Sequence, residues 1–165
     1  MAKDKTYAIL RSDLALTRYV GVPSSVPLEV ADSWGSLDLR VVPGGRGGPG
    51  RRGAVSDVGA ISGRANLAQA LVLRLLTRQG DLTALGHPDY GSRLTELIGQ
   101  LNNETTRNLA RLYTIQAIRQ ERRVRRLLDL SVQTLPDQPQ TIRIGFAVLP
   151  VNDDDPLALT LEVAL

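Results

Sequence analysis

Leu157-Ala158-Leu159-Thr160-Leu161-Glu162-Val163-Ala164-Leu165 carries a large apolar residue at every second position. In a β-strand successive side chains point to opposite faces, so Leu157, Leu159, Leu161, Val163 and Leu165 line one face of a strand. Two stretches before it repeat the period. Ile142, Ile144, Phe146 and Val148 alternate with Arg143, Gly145 and Ala147, and Leu128, Leu130 and Val132 alternate with Asp129, Ser131 and Gln133. Turn-forming residues separate the three: Pro136-Asp137-Gln138-Pro139, and the run from Pro150 to Pro156 with Asp153-Asp154-Asp155. The pattern predicts an antiparallel three-stranded sheet with one apolar face.

The cover for that face precedes it. Leu67, Leu71 and Leu75 fall four apart, widened by Ala68, Val72 and Leu76, which predicts a helix over 66–78. Gln79-Gly80-Asp81 is expected to end it, with Gly80 as a left-handed cap. A loop follows, Gly86-His87-Pro88-Asp89-Tyr90-Gly91, and Ser92 is placed to cap a short helix through Ile98. Asn102 or Asn103 caps a longer helix from Glu104 to about Gln120, with Glu104 at its positive end. About three helices on a sheet of about three strands make the class α+β.

Residues 1–53 read differently. Strands are expected within Tyr7–Leu16 and Leu37–Val42, and the run from Pro43 to Gly53 is too rich in glycine and proline for regular structure. The expected division is an N-terminal extension over 1–53, ending in a Gly/Arg-rich tether, and a main domain over 54–165. The tether is not a phosphate loop, because no Gly-Lys-Ser/Thr follows.

Composition narrows the chemistry. The 165 residues are 42% hydrophobic, 22% charged and only 4% aromatic, so the core must be aliphatic. There is no cysteine, which excludes disulfides and thiolate metal sites. His87 is the only histidine, which excludes a histidine metal cluster, and neither a metal nor a cofactor is expected. Glu96, Glu104 and Glu121 are the carboxylates a glycosidase would need in a facing pair. Glu104 is better explained as a helix-start residue, and Glu121 stands among arginines that favour its ionised form, so no enzyme is expected. No signal-peptide core and no stretch long enough to span a bilayer is present, so synthesis in the cytoplasm without membrane insertion is expected.

The net charge of +3 is mostly arginine, with Arg119, Arg122, Arg123, Arg125 and Arg126 in eight residues. Nucleic-acid binding through such a cluster usually interleaves stacking aromatics, and none is near. The remaining readings are a solvated helix end and a protein interface paired with acidic partners.

Three blocks of the segment 54–165 together resemble a known family. They are Asp57-Val58-Gly59-Ala60-Ile61-Ser62-Gly63 with the helix Asn66 to Thr77; Gly80 with His87-Pro88-Asp89-Tyr90-Gly91-Ser92-Arg93-Leu94; and Glu121-Arg122-Arg123-Val124. In order and spacing they are similar to the baseplate wedge and sheath-initiator proteins of contractile phage tails, type VI secretion baseplates and extracellular contractile injection systems, a family that also carries a lysozyme-like label. Arg122 stands where that family has proline. The resemblance implies a structural subunit, present in sixfold copies, that is built into a virion-borne, membrane-associated or released particle. It implies that Glu121, Arg122 and Arg123 dock on larger wedge subunits, and it marks Pro88, Asp89, Tyr90 and Gly91 as the family's motif turn. It also implies that the strand Leu157, Leu159, Leu161, Val163 and Leu165 pairs with sheath protein, with tube or hub proteins as further neighbours.

Overall fold

The computed structural model describes residues 11–14, 16, 41–43 and 56–165. Among them are strands β1 (Ser12–Leu14), β2 (Val41–Pro43), β3 (Ser56–Val58) and β4 (Ala60–Ser62), then helix α1 (Gly63–Leu76). Helix α2 (Glu104–Arg119) follows, with strands β5 (Val124–Leu135), β6 (Gln138–Pro150) and β7 (Leu157–Ala164) completing the chain. The α+β class is as the sequence predicts. Within the two N-terminal strand predictions, Ser12–Leu14 and Val41 with Val42 are strand; Pro43, predicted as the start of the tether, instead ends β2, and the rest of the tether lies outside the described residues.

The main sheet has the order β5-β6-β7, antiparallel throughout, with β5 and β6 joined by a two-residue turn at Pro136-Asp137. On β7 the predicted alternation holds without interruption: Leu157, Leu159, Leu161 and Val163 are buried and Leu165 packs against the same core. On β5 it does not. The ladder shifts register between Leu127 and Asp129, a bulge that brings Leu127 to the core and leaves Leu128 39% exposed. Helices α1 and α2 cover the apolar face. Leu67, Leu71 and Leu75 meet Ile142, Ile144, Phe146 and Leu161 in one aliphatic cluster with Ala110, Tyr113, Ala117 and Ile118 of α2.

Helix ends depart from the sequence reading for local reasons. Helix α1 stops at Leu76, before the predicted Arg78: the Thr77 amide makes the last helical bond to Leu73 O at 2.9 Å, and the backbone then turns extended at Thr77, whose carbonyl accepts from Ser92 N–H at 2.8 Å. The chain then leaves as an extended segment, and Gly80 takes its left-handed conformation in the turn beyond. The helix predicted after Ser92 is a single 3₁₀ turn, Leu94–Leu97, preceded by another at Thr83–Leu85. Of the two candidate caps for α2, Asn103 is the one used: its side-chain oxygen accepts from the Thr106 amide at 2.9 Å. The helix ends at Arg119, and strand β5 begins at Val124, four residues before the predicted alternation.

Candidate functional site

The turn between α2 and β5, Gln120 to Arg123, forms a junction against which two other parts of the chain pack. Glu121 is 8% exposed, although it is charged. Its carboxylate accepts a fork from Arg123, with Nε to Oε1 at 2.8 Å and Nη2 to Oε2 at 3.0 Å, plus the Arg123 amide at 3.2 Å. From α1, Arg74 brings Nη2 to 3.7 Å of Oε2. Such a planar, two-bonded arrangement is what arginine geometry favours. Burial alone would push the Glu121 carboxyl up, but the Arg123 hydrogen bonds and the charges of Arg123 and Arg74 outweigh it and hold it below the ordinary range.

Arg74 ties the junction to the motif turn. Its guanidinium lies 4.4 Å from the centroid of the Tyr90 ring, and its Nη1 donates to Gln120 Oε1 at 3.2 Å. Burial raises the Tyr90 phenol above its ordinary value, with Arg74 pulling the other way. The turn itself is fixed to the end of α1 by main-chain bonds: Ser92 N–H to Thr77 O at 2.8 Å and Gln79 N–H to Ser92 O at 2.9 Å. Ser92, predicted as a helix cap, instead donates its hydroxyl to Leu75 O at 2.6 Å and accepts from the Leu94 amide at 3.2 Å.

Gly91 explains why the turn has its composition. Its φ is +106°, and a Cβ there would stand 2.6 Å from Thr77 O and 2.8 Å from Arg78. No other residue fits that approach. Pro88, Asp89 and His87 are exposed on the outer side of the loop, and Tyr90 N–H donates to His87 O at 3.2 Å.

The predicted site residues therefore fall into one assembly and one separate surface. Glu121, Arg123, Tyr90 and Gly91 come together, and Arg122 lies between Glu121 and Arg123 in the junction turn. With Arg11, Ser12 and Asp13 of the N-terminal segment opposite, the junction borders an open cleft of about 950 Å³. The arginine cluster is not one patch. Arg119 closes α2, Arg123 is held by Glu121, and Arg125 lies on β5 with its Nη2 3.1 Å from Asp154. The three glutamates also separate by environment. Glu96 sits on the surface in a fork from Arg93, whose hydrogen bonds lower its carboxyl pKa, and Glu104 occupies the first turn of α2.

The separate surface is the outer edge of β7. Leu165 N–H donates to Gln140 O at 2.7 Å, and the register from Thr141↔Ala164 to Val148↔Leu157 has no shift. Bonded and non-bonded pairs alternate along an antiparallel ladder, so Leu157, Leu159, Leu161 and Val163 bond to β6. The N–H and C=O groups of Ala158, Thr160, Glu162 and Ala164 then face away, and no strand among the described residues pairs with them. The opposite edge, on β5, is broken by register shifts and carries Arg125, Arg126 and Asp129, features that discourage strand pairing.

Three contributors were not visible in the sequence. Arg74 reads there as a polar residue beside the apolar stripe. Arg64 reaches the β6–β7 loop, bonding the Asp153 carboxylate and the carbonyls of Asp155 and Pro156, and so sets where β7 begins. Gln69 is 3% exposed on α1, one turn after the equally buried Asn66. None has a local signal, because each partner is distant in the chain.

Comparison with solved structures finds a likeness. A crystal structure of a Geobacter sulfurreducens protein called "putative tail lysozyme" superimposes with a TM-score of 0.52 at 20% identity, covering 61% of this chain and 88% of that one. The two share a fold. No family model and no curated protein matches the chain.

Proposed function

We propose that the protein is a structural, non-enzymatic baseplate subunit of a contractile tail or injection system. It docks on larger wedge subunits at the junction cleft and starts the sheath by strand addition at β7. The observation that carries this reading is the β7 edge. It is straight, unshifted in register and open along four residues, while every large side chain of the strand is already committed to the core. An edge of that kind recruits a further strand through main-chain hydrogen bonds. Copied around a sixfold ring, it is a template that requires no catalytic group. The fold shared with a protein named for a tail supports the same reading.

The word lysozyme in that protein's name does not transfer to these carboxylates. A glycosidase acid must hold its proton near neutral pH, in an environment that raises its pKa. Glu96 and Glu121 are each held by arginine in the opposite sense.

The test is proline substitution at Thr160 and, separately, at Ala164, in cells producing the whole particle. Each removes one outward N–H. Electron microscopy is expected to show baseplates without sheath. Full-length sheaths on both variants would rule out templating by this edge.

A further inference from the structure

The N-terminal segment is held by main-chain bonding, unlike the helices, which are held by apolar side chains. Strand β1 pairs antiparallel with β4, Ser12 opposite Ser62, Asp13 opposite Ile61 and Leu14 opposite Ala60, and Gly63 N–H donates to Arg11 O at 3.2 Å. On its far side the buried amide of Gln69 takes the place of a third strand. Its Nε2 donates to Leu14 O at 2.9 Å and its Oε1 accepts from Leu16 N–H at 2.9 Å. Both edges of the segment thus find main-chain partners or a mimic of one. Its side chains contribute little, since Arg11, Ser12, Asp13 and Leu14 are all exposed, Leu14 by 50%.

We propose that β4 and Gln69 form a receiving slot for an extended backbone, and that residues 11–16 of one copy exchange into the slot of a second copy. The geometry favours such exchange on three grounds. The bonds made in the slot are the same whichever copy supplies the strand, which is the condition under which swapping is inexpensive. Residues 17–40 separate Leu16 from β2, a length that reaches at most about 80 Å when extended. That exceeds the width of a neighbouring domain of this size, whose radius of gyration is about 13 Å. Finally, Arg11, Ser12 and Asp13 border the junction cleft with Tyr90, Glu121 and Arg123, so the donating copy supplies one wall of its neighbour's cleft. The exchange is independent of the baseplate reading and is tested on the purified full chain.

The chain has no cysteine, so two single variants introduce the only thiols, and the 14–60 cross-link is distinguished by mass from 14–14 and 60–60 products. Leu14 and Ala60 form a non-hydrogen-bonded pair, because Arg11 and Gly63 are bonded and pairs alternate, and facing Cβ atoms are closest at such positions. L14C and A60C are mixed in equal amounts at increasing concentration under mild oxidation. The expected product is a covalent heterodimer whose yield rises with concentration, with peptide mass placing the cross-link between positions 14 and 60. The double variant L14C/A60C in one chain is the control for geometry. If it forms its internal disulfide while the mixture forms none, the strand stays in its own copy and the exchange is refuted. If neither forms, the slot itself is refuted.

Discussion

At the junction, the polar groups are side chains already committed to one another; along β7 they are main-chain groups left without a partner strand among the described residues. The junction depends on identities. A glutamate, two arginines, a tyrosine and a glycine come from three separated parts of the chain, and each has a geometry that another residue would not reproduce. The β7 edge depends on register, and its outward positions, Ala158, Thr160, Glu162 and Ala164, carry unrelated side chains. The difference teaches where substitutions act. Side-chain changes should damage the junction and spare the edge, whereas removal of a backbone donor should do the reverse.

The largest effect is expected at Gly91. Gly91→Ala adds a methyl group 2.6 Å from Thr77 O at a φ that alanine does not tolerate. A cost of about 3–4 kcal/mol is expected, because backbone strain and the clash act together. Chemical denaturation checks it: the midpoint should fall with an unchanged slope, and an unaltered midpoint would mean that the turn is not held against α1 in this way.

Next comes Glu121. The family resemblance implies that Glu121 and Arg123 serve assembly, with folding untouched. Burial of the Glu121 carboxylate between Arg123 and Arg74 adds a structural role. Glu121→Ala removes the carboxylate shared by two partly buried guanidinium groups, at a cost of about 2–3 kcal/mol. Thermal melts of the purified variant measure this. A variant as stable as the parent would show that the cluster serves docking alone.

The same carboxylate gives a smaller, pH-dependent effect. Its pKa in the folded chain lies below the ordinary value of 4.5, so the folded state holds its proton less tightly than the unfolded chain. The stabilisation is complete above about pH 5.5 and is lost as pH falls through 4.5 and then through the folded value. Glu121→Gln, which does not titrate, should therefore lose less melting temperature than the parent between about pH 6 and about pH 3. Parallel curves for the two would show that Arg123 and Arg74 do not act on this group.

The fold was legible because periodicity is local. The stripe Leu67, Leu71, Leu75 and the alternation on β6 and β7 each report a face without knowledge of its partner. What periodicity does not report are a bulge at Leu127–Asp129 and the exit from the helix at Thr77, where the chain turns extended and bonds to Ser92. At the candidate site, Glu121, Arg123 and Tyr90 were identifiable from the resemblance. Arg74 was not, since its meaning arises only when Tyr90 and Glu121 arrive on either side of it. Gln69 and Arg64 are alike in this respect, and their bonds to Leu14, Leu16 and Asp153 span 53 to 89 residues of sequence.

The smallest stability effect is expected at Thr160, and there it separates most clearly from function. Its N–H faces away from β6, because Leu161 and Leu159 hold the bonded positions opposite Ile144 and Phe146. Thr160→Pro therefore removes no hydrogen bond from the folded chain. The remaining cost is the fit of the proline ring to strand geometry, about 1 kcal/mol, which an edge strand tolerates. Thr160→Ala should change stability by under about 0.5 kcal/mol, as surface substitutions generally do. Both variants should melt cooperatively near the parent temperature. A partner strand, however, needs the Thr160 N–H as a donor, and proline has none to give. If calorimetry finds Thr160→Pro strongly destabilised, its N–H must point toward β6. The outward edge would then be Leu157, Leu159, Leu161 and Val163, and the assignment of this strand as a template would lose its footing.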